Sequence, residues 1–326
     1  HDVGQFVLTG SAVPAEEKDM HHSGTGRFSW LTMRPMSLYE SGESNGKVSL
    51  TDLFETPEKI VAINKLNIED LAFLICRGGW PFACGLQDEA ALAQAFDYVD
   101  AVIKKDVSRV DGVNRNTTTL LLRSYARNQG SQATIGTIIA DMSTNDENEI
   151  SVKTAGSYLD ALRKIFVIED SEAWNPNLRS KTAIRTSNTR YFIDPSIGTA
   201  VLGLGPKDLI NDLNTMGLFF ETLCVRDLRV FADALDGGVY HYRDKSGLEC
   251  DAVIHLRNGR YGLVEVKLGG DKLINEGAEN LITLASKINT EKMNGPSFMM
   301  VLTGTGNYAY RRKDGVYVVP IGCLKD

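Results

Sequence analysis

Apolar positions recur with a helical period over residues 88–103, where Leu92, Phe96, Val99 and Ile103 share a face behind the opening Asp88-Glu89-Ala90. The same reasoning predicts helices over 117–127, 133–141 and 152–164, the last N-capped by Ser151, whose hydroxyl can accept a free backbone N–H. Ile165-Phe166-Val167-Ile168-Glu169 then reads as a strand and Tyr191-Phe192-Ile193-Asp194 as its return. Helix, helix and a two-stranded return is the order of a winged helix-turn-helix. Further on, a helix over 218–231 is followed by strands over 239–243, 248–256 and 261–268, a helix over 271–288 and a strand over 297–303. Asp314-Gly315 turns a last small hairpin, so this part has the order αβββαβ plus a hairpin. The front of the chain looks incomplete. Residues 5–10 read as one buried strand, followed by the loop Ser23-Gly24-Thr25-Gly26-Arg27 and an apolar piece through Trp30-Leu31-Thr32-Met33. A lone strand has two unpaired edges, and this segment supplies no partner. The expectation is a mixed α/β chain of three units: 1–70, 71–205 and 206–326.

Composition adds limits. With 326 residues, 43% hydrophobic and 24% charged, the chain is of globular type, which excludes disordered, collagen-like and coiled-coil classes. No run of 18 apolar residues suggests a membrane span, and the first residues lack a basic-then-apolar leader pattern. Five scattered cysteines (76, 84, 224, 250 and 323) fit a reduced, cytoplasmic setting without a disulfide framework. The net charge of −7 argues against a general polyanion binder, so any nucleic-acid contact must come from a local patch. Two places offer one. The helix over 152–164 presents Lys153, Thr154, Ser157, Arg163 and Lys164, and the stretch 177–191 carries Arg179, Lys181, Arg185 and Arg190 without an acidic residue. The acidic loop 145–149 beside that helix would repel phosphate.

The chemistry-bearing stretch is Glu249-Cys250-Asp251, then Arg257-Asn258-Gly259-Arg260, then Glu265-Val266-Lys267. Asn-Gly between apolar-rich strands is a hairpin signal. A two-residue loop would set Asp251 opposite Val266 and turn it away from Glu265 and Lys267. A three-residue loop, with Gly259 left-handed, pairs Leu256 with Arg260 and sets Asp251 opposite Glu265 and Glu249 opposite Lys267. We expect the three-residue loop, because it explains charges at 265 and 267 on an apolar strand: all four side chains then share one face. Carboxylates directly opposite one another repel, and a cation between them lets both stay ionised. Oxygen-only ligation suits Mg²⁺ or Mn²⁺. A nearby lysine can orient water or steady charge on a phosphate, which is the equipment of metal-assisted phosphodiester hydrolysis. The rival expectation is a non-catalytic protein-interaction module whose hairpin charges are structural ion pairs.

Asp251, thirteen intervening residues and Glu265-Val266-Lys267, set in an αβββαβ order, resemble the PD-(D/E)XK nuclease-like signature over roughly residues 215–305, although no proline precedes Asp251. The resemblance implies catalytic Asp251, Glu265 and Lys267, a metal held by Asp251 and Glu265 with Glu221 from the preceding helix, and Glu249 behind them. A wider likeness runs through Phe6-Val7-Leu8-Thr9-Gly10-Ser11-Ala12, Ser23-Gly24-Thr25-Gly26-Arg27, Arg34-Pro35-Met36-Ser37-Leu38-Tyr39-Glu40, Gly78-Gly79-Trp80-Pro81, Tyr191-Phe192-Ile193-Asp194, Phe220-Glu221 and Tyr242-Arg243-Asp244. These resemble predicted prokaryotic ATPases of the AAA superfamily that carry a C-terminal domain of unknown function. That likeness implies a nucleotide-associated Ser11 on a sensor strand and Arg27 as an arginine-finger-like residue. It also implies a phosphate-binding loop, which this sequence lacks. Gly42-Glu43-Ser44-Asn45-Gly46-Lys47-Val48 has three residues between its glycines, where the loop needs four, and Val48 where a hydroxyl is needed; it reads as a polar surface turn. ATP is therefore expected only in a parent protein with the N-terminal half, and no ATPase activity from this chain alone. The expected partner is nucleic acid, with no membrane; the sequence sets no oligomeric state.

Overall fold

A computed structural model of the chain describes residues 4, 6–7, 29, 31–56, 60–106, 114–143, 150–179 and 184–326, the side chains of 105, 106 and 143 excepted. Ser11, the loop 23–27 with Arg27, the acidic loop 145–149 and Lys181 lie outside the described residues. Of the strand expected over 5–10, Phe6 and Val7 are described; neither lies in a strand and they are 88% and 85% exposed, which corrects the buried-strand reading where it can be read. The physical reason is the one the pattern already suggested: no neighbouring strand pairs with them.

The sheet part follows the expected order. Helix α9 (Leu213–Ala234) leads into β3 (Gly237–Arg243), β4 (Glu249–Leu256) and β5 (Tyr261–Lys267), then α10 (Asp271–Lys287), β6 (Phe298–Thr303), β7 (Tyr308–Arg311) and β8 (Tyr317–Pro320). With β2 (Ala62–Ile63) these strands make a mixed seven-stranded sheet in the order β2-β7-β8-β6-β5-β4-β3. β3, β4 and β5 pair antiparallel, whereas β5–β6 and β6–β8 pair parallel. The parallel step from β5 to β6 is crossed by α10, as a parallel pair requires. Alternate strand residues feed two cores. Ala252, Ile254, Val264, Met300 and Leu302 pack under α9, while Val253, Leu263 and Val301 pack under α10 with Ile274, Leu281 and Leu284.

The front segment is not a separate piece. β1 (Val48–Ser49) pairs parallel with β9 (Leu324–Lys325), β2 pairs with β7, and Leu50 and Leu53 of α1 (Leu50–Glu55) join the core beneath α9. Helix α2 (Ile68–Arg77), closed at its start by the reciprocal Asn67–Asp70 capping box, runs through the boundary expected at 70/71. The segment 42–48, irregular up to β1, exposes Gly42, Asn45 and Lys47 as a polar surface turn requires, and it is anchored to the last residues: the Ser44 hydroxyl donates to the Leu324 carbonyl at 2.6 Å and Asn45 N–H to Gly322 O at 2.9 Å.

Between these parts lies a helical unit with its own core: α3 (Asp88–Ala101), α4 (Arg115–Arg127), α5 (Ile135–Ser143) and α6 (Val152–Lys164), with Leu121, Tyr125, Ile138, Leu159 and Leu162 buried among them. Ser151 caps α6 as expected, accepting from Thr154 N–H at 3.0 Å. The expected strand and its return are two extended segments joined antiparallel by single bridges, Ile168–Phe192 and Ser171–Thr189. Helices α7 (Pro195–Leu202) and α8 (Pro206–Asn211) close the unit.

One buried ion cluster ties the parts together. Arg226 of α9 donates to Asp194 at 2.8 Å and to Asp227 at 2.7 Å. Asp227 also accepts the Leu38 N–H at 2.9 Å, and Asp194 accepts the Gly79 N–H at 2.9 Å while capping α7. A Cβ at Gly79 would lie 2.1 Å from the Met36 carbonyl oxygen, so only glycine lets the front segment approach there.

Candidate functional site

The β4–β5 hairpin adopts the three-residue loop. Leu256 N–H donates to the Arg260 carbonyl at 2.9 Å, Gly259 takes φ +85°, and the ladder runs from His255–Tyr261 to Ala252–Val264. One step further the Asp251 carboxylate accepts the Val266 N–H at 2.7 Å. This brings Asp251, Glu265 and Lys267 together. The Lys267 ammonium lies 2.7 Å from Glu265 Oε2 and 3.5 Å from Asp251 Oδ2. Glu249 does not join them in contact; it pairs with Arg243 of the neighbouring strand at 3.1 Å.

Helix α10 roofs this cluster. A Cβ at Gly277 would sit 3.3 Å from Glu265 Cβ and 3.5 Å from Lys267 Cε, so a small residue is what lets the helix lie close. Glu265 is 1% exposed, and its Oε1 is buried with no hydrogen-bond partner. An unpaired buried carboxylate oxygen is costly, so such an atom calls for a ligand or a proton. Thr303, opposite Lys267 on β6, likewise buries its Oγ1 without a partner.

Glu221 approaches from α9 and receives a hydrogen bond from the Tyr191 hydroxyl. Burial, then the Asp251 charge, pushes the Glu221 carboxyl up to about 8, against the pull of Tyr191 and Lys267. Burial and Asp251 likewise push Glu265 up to about 8, while Lys267 opposes them. Lys267 itself is held above its ordinary value, because the attraction of Asp251 and Glu265 exceeds the cost of its burial. The cluster thus holds more carboxyl groups than one ammonium can keep ionised, so Glu221 and Glu265 retain their protons to about 8. Among the described residues no group of three or more His, Cys, Asp or Glu is disposed to hold a metal ion. The acidic groups available to an ion are therefore Asp251 and Glu265, with Glu221 engaged by Tyr191 beside them.

These raised carboxyls fix the direction of a pH effect. The folded chain keeps protons at Glu265 and Glu221 that the unfolded chain releases above about 4.5. Their stabilising contribution is full below about 4.5 and is lost as pH rises through about 8. Urea unfolding in chelator should therefore show a downward stability trend from pH 5 to 8.5 that Glu265→Gln flattens. Equal slopes in both proteins would contradict the assignment.

The expected nucleic-acid residues divide. Arg163 and Arg190 both pair with the buried Asp170 at 2.6 Å, which occupies them internally. Arg179 donates to the Ile288 carbonyl at 2.9 Å and to Thr290, again binding chain to chain. Lys153, Lys164 and Arg185 are exposed. Sequence reasoning missed Tyr191 and Arg226 as site and framework residues. Tyr191 stood inside a quoted motif, which was the available signal.

Residues 68–208 match the family described as a domain of unknown function, DUF8612, and residues 216–324 match another, DUF4143. No curated protein matches the chain. Among the described residues no helix is long and apolar enough to cross a membrane. DUF4143 is a domain typically found C-terminal to AAA ATPase-like domains, and the part of this chain that matches it holds Glu221, Asp251, Glu265 and Lys267.

Proposed function

We propose that residues 216–324 form a PD-(D/E)XK nuclease-like domain that cleaves phosphodiesters with Mg²⁺ or Mn²⁺, in a protein related to AAA-type ATPases. The observation that carries this reading is the unpartnered, buried Oε1 of Glu265 beside Asp251 and Lys267. The donors fit such an ion. They are carboxylate oxygens, and Mg²⁺ is commonly held through one or two carboxylates while keeping several waters. Asp251 and Glu265 would hold it. A bound divalent ion supplies Lewis-acid activation of a phosphoryl oxygen and of water. Lys267, now shared between the two carboxylates, is then free to donate to a phosphate oxygen or to hold the attacking water. Glu221, its carboxyl pushed up to about 8 by burial and then by Asp251, is the further acidic group of this cluster.

We further propose that α4–α6 and the bridged segments form a winged helix that contacts nucleic acid through Lys153, Lys164 and Arg185, which are exposed. The rival reading is a non-catalytic module with a structural charge cluster. One observation favours it: Lys267 already bridges both carboxylates. Incubation of supercoiled plasmid and single-stranded DNA with the protein separates the two. The nuclease reading expects cleavage that needs Mn²⁺ or Mg²⁺, stops in chelator and is lost in Lys267→Ala. Intact DNA under every metal condition would leave the charges as structural.

A further inference from the structure

The front segment, the helical unit, α9 and β3 meet around a cavity of about 360 Å³, at the small end of the range for ligand sites. Its walls carry Arg34, Glu169, Asp170, Glu172, Arg229 and Asp233. These charges are not all matched within the protein. Asp170 is held by Arg163 and Arg190. Arg34 donates to both oxygens of Glu169, at 2.9 and 2.7 Å, and also pairs with Asp233, so one guanidinium serves two carboxylates. Arg229 is left over. It is 5% exposed, yet its polar contacts among the described residues are Glu169 Oε2 at 3.5 Å and the face of the Tyr191 ring. A guanidinium has five N–H donors, and 3.5 Å is beyond an ordinary N–H···O bond. Burial, which the pull of Glu169 does not fully offset, accordingly holds the Arg229 guanidinium below its usual value. At the rim, Glu172 is exposed and its carboxylate has no partner among the described residues.

We propose that this cavity binds an α-amino acid with a cationic side chain, L-lysine or L-arginine, whose carboxylate sits on Arg229 and whose two cationic groups face the acids. The charge count selects this class. With Asp170 matched by its own two arginines, the wall sets Arg34 and Arg229 against Glu169, Glu172 and Asp233. A ligand with one negative and two positive groups balances that set. The under-bonded guanidinium calls for a planar, two-oxygen acceptor. A plain anion would meet Glu172 and Asp233 at the rim without a positive group to offer them, and a diamine would leave Arg229 without an acceptor. Arg34 comes from the front segment, Glu169 and Glu172 from the helical unit, and Arg229 and Asp233 from α9, so a bound ligand ties these parts together and stabilises the folded chain. The proposal draws on no part of the metal-site reading.

The test is calorimetric titration of the full chain with each amino acid against its decarboxylated form: L-lysine with cadaverine, L-arginine with agmatine. Saturable binding near one ligand per chain is expected for at least one of the two amino acids. Its decarboxylated form is expected to bind about 10-fold more weakly or worse, because the bond to Arg229 is lost. Arg229→Lys keeps the charge but loses the two-pronged donor, and is expected to weaken binding about 10-fold or more. Glu172→Gln, at an exposed position, leaves the fold alone and is expected to weaken binding about 3-fold or more. It keeps the proposal open to refutation even where Arg229→Lys does not fold. No binding of either amino acid would overturn the proposal. So would a decarboxylated form that binds as tightly as its parent, or wild-type affinity in either folded variant.

Discussion

Asp251→Ala is expected to cut metal-dependent DNA cleavage by on the order of 1000-fold or more while the chain stays folded. Asp251 is one of two carboxylates available to an ion, and it also accepts the Val266 N–H at the point where β4 and β5 leave their ladder. Its loss removes half of the proposed ligand set, and the transition-state stabilisation a metal supplies is several kcal/mol, at about 1.4 kcal/mol per tenfold in rate. The fold should tolerate the change. Asp251 is partly exposed, and its removal relieves the repulsion that, after burial, raises both Glu265 and Glu221. The check is the cleavage rate alongside far-UV circular dichroism. Cleavage within tenfold of wild type would place the chemistry elsewhere.

Arg226→Ala is expected to have the largest effect on stability, a loss of about 3–5 kcal/mol, because it strands charges in the interior. Arg226 is fully buried between Asp194 and Asp227, which are 0% and 1% exposed. Those carboxylates also hold the Leu38 and Gly79 N–H groups and the start of α7. Removing the guanidinium therefore loosens the front segment, the helical unit and α9 together. Urea unfolding at constant m-value measures it. A loss under about 1 kcal/mol would show that the cluster is not the clasp described here.

The hairpin was readable because two local rules agreed. Asn258-Gly259 marks the turn, and strand alternation then places Asp251, Glu265 and Lys267 by counting. The helices from α3 to α6 followed from apolar period, and the succession of elements from α9 to β8 from apolar period with the Asn-Gly and Asp-Gly turns. What stayed hidden depends on contacts between distant parts of the chain. β1 and β2 are two residues each, too short to announce themselves, and their partners β9 and β7 lie near the other end of the chain. The part over 1–70 therefore looked like a detached remnant, whereas Leu38, Val48, Leu50, Leu53, Phe54, Ile60 and Ala62 within it belong to the main core. Arg226 sits among apolar residues of α9, where its need for Asp194 cannot be counted out. Arg163 and Arg190 looked available to phosphate, each in its own patch, because Asp170, which holds both, becomes their shared neighbour only after folding. Tyr191 reaches Glu221 across the join between two units, which no periodicity encodes.

The most direct measurement is calorimetric titration of the wild-type chain with Mn²⁺, paired with Asp251→Ala. The account predicts saturable binding near one ion per chain, stronger as pH rises toward 8 and the carboxyls release their protons, and absent in the variant. No heat of binding, or identical binding in both proteins, would contradict it.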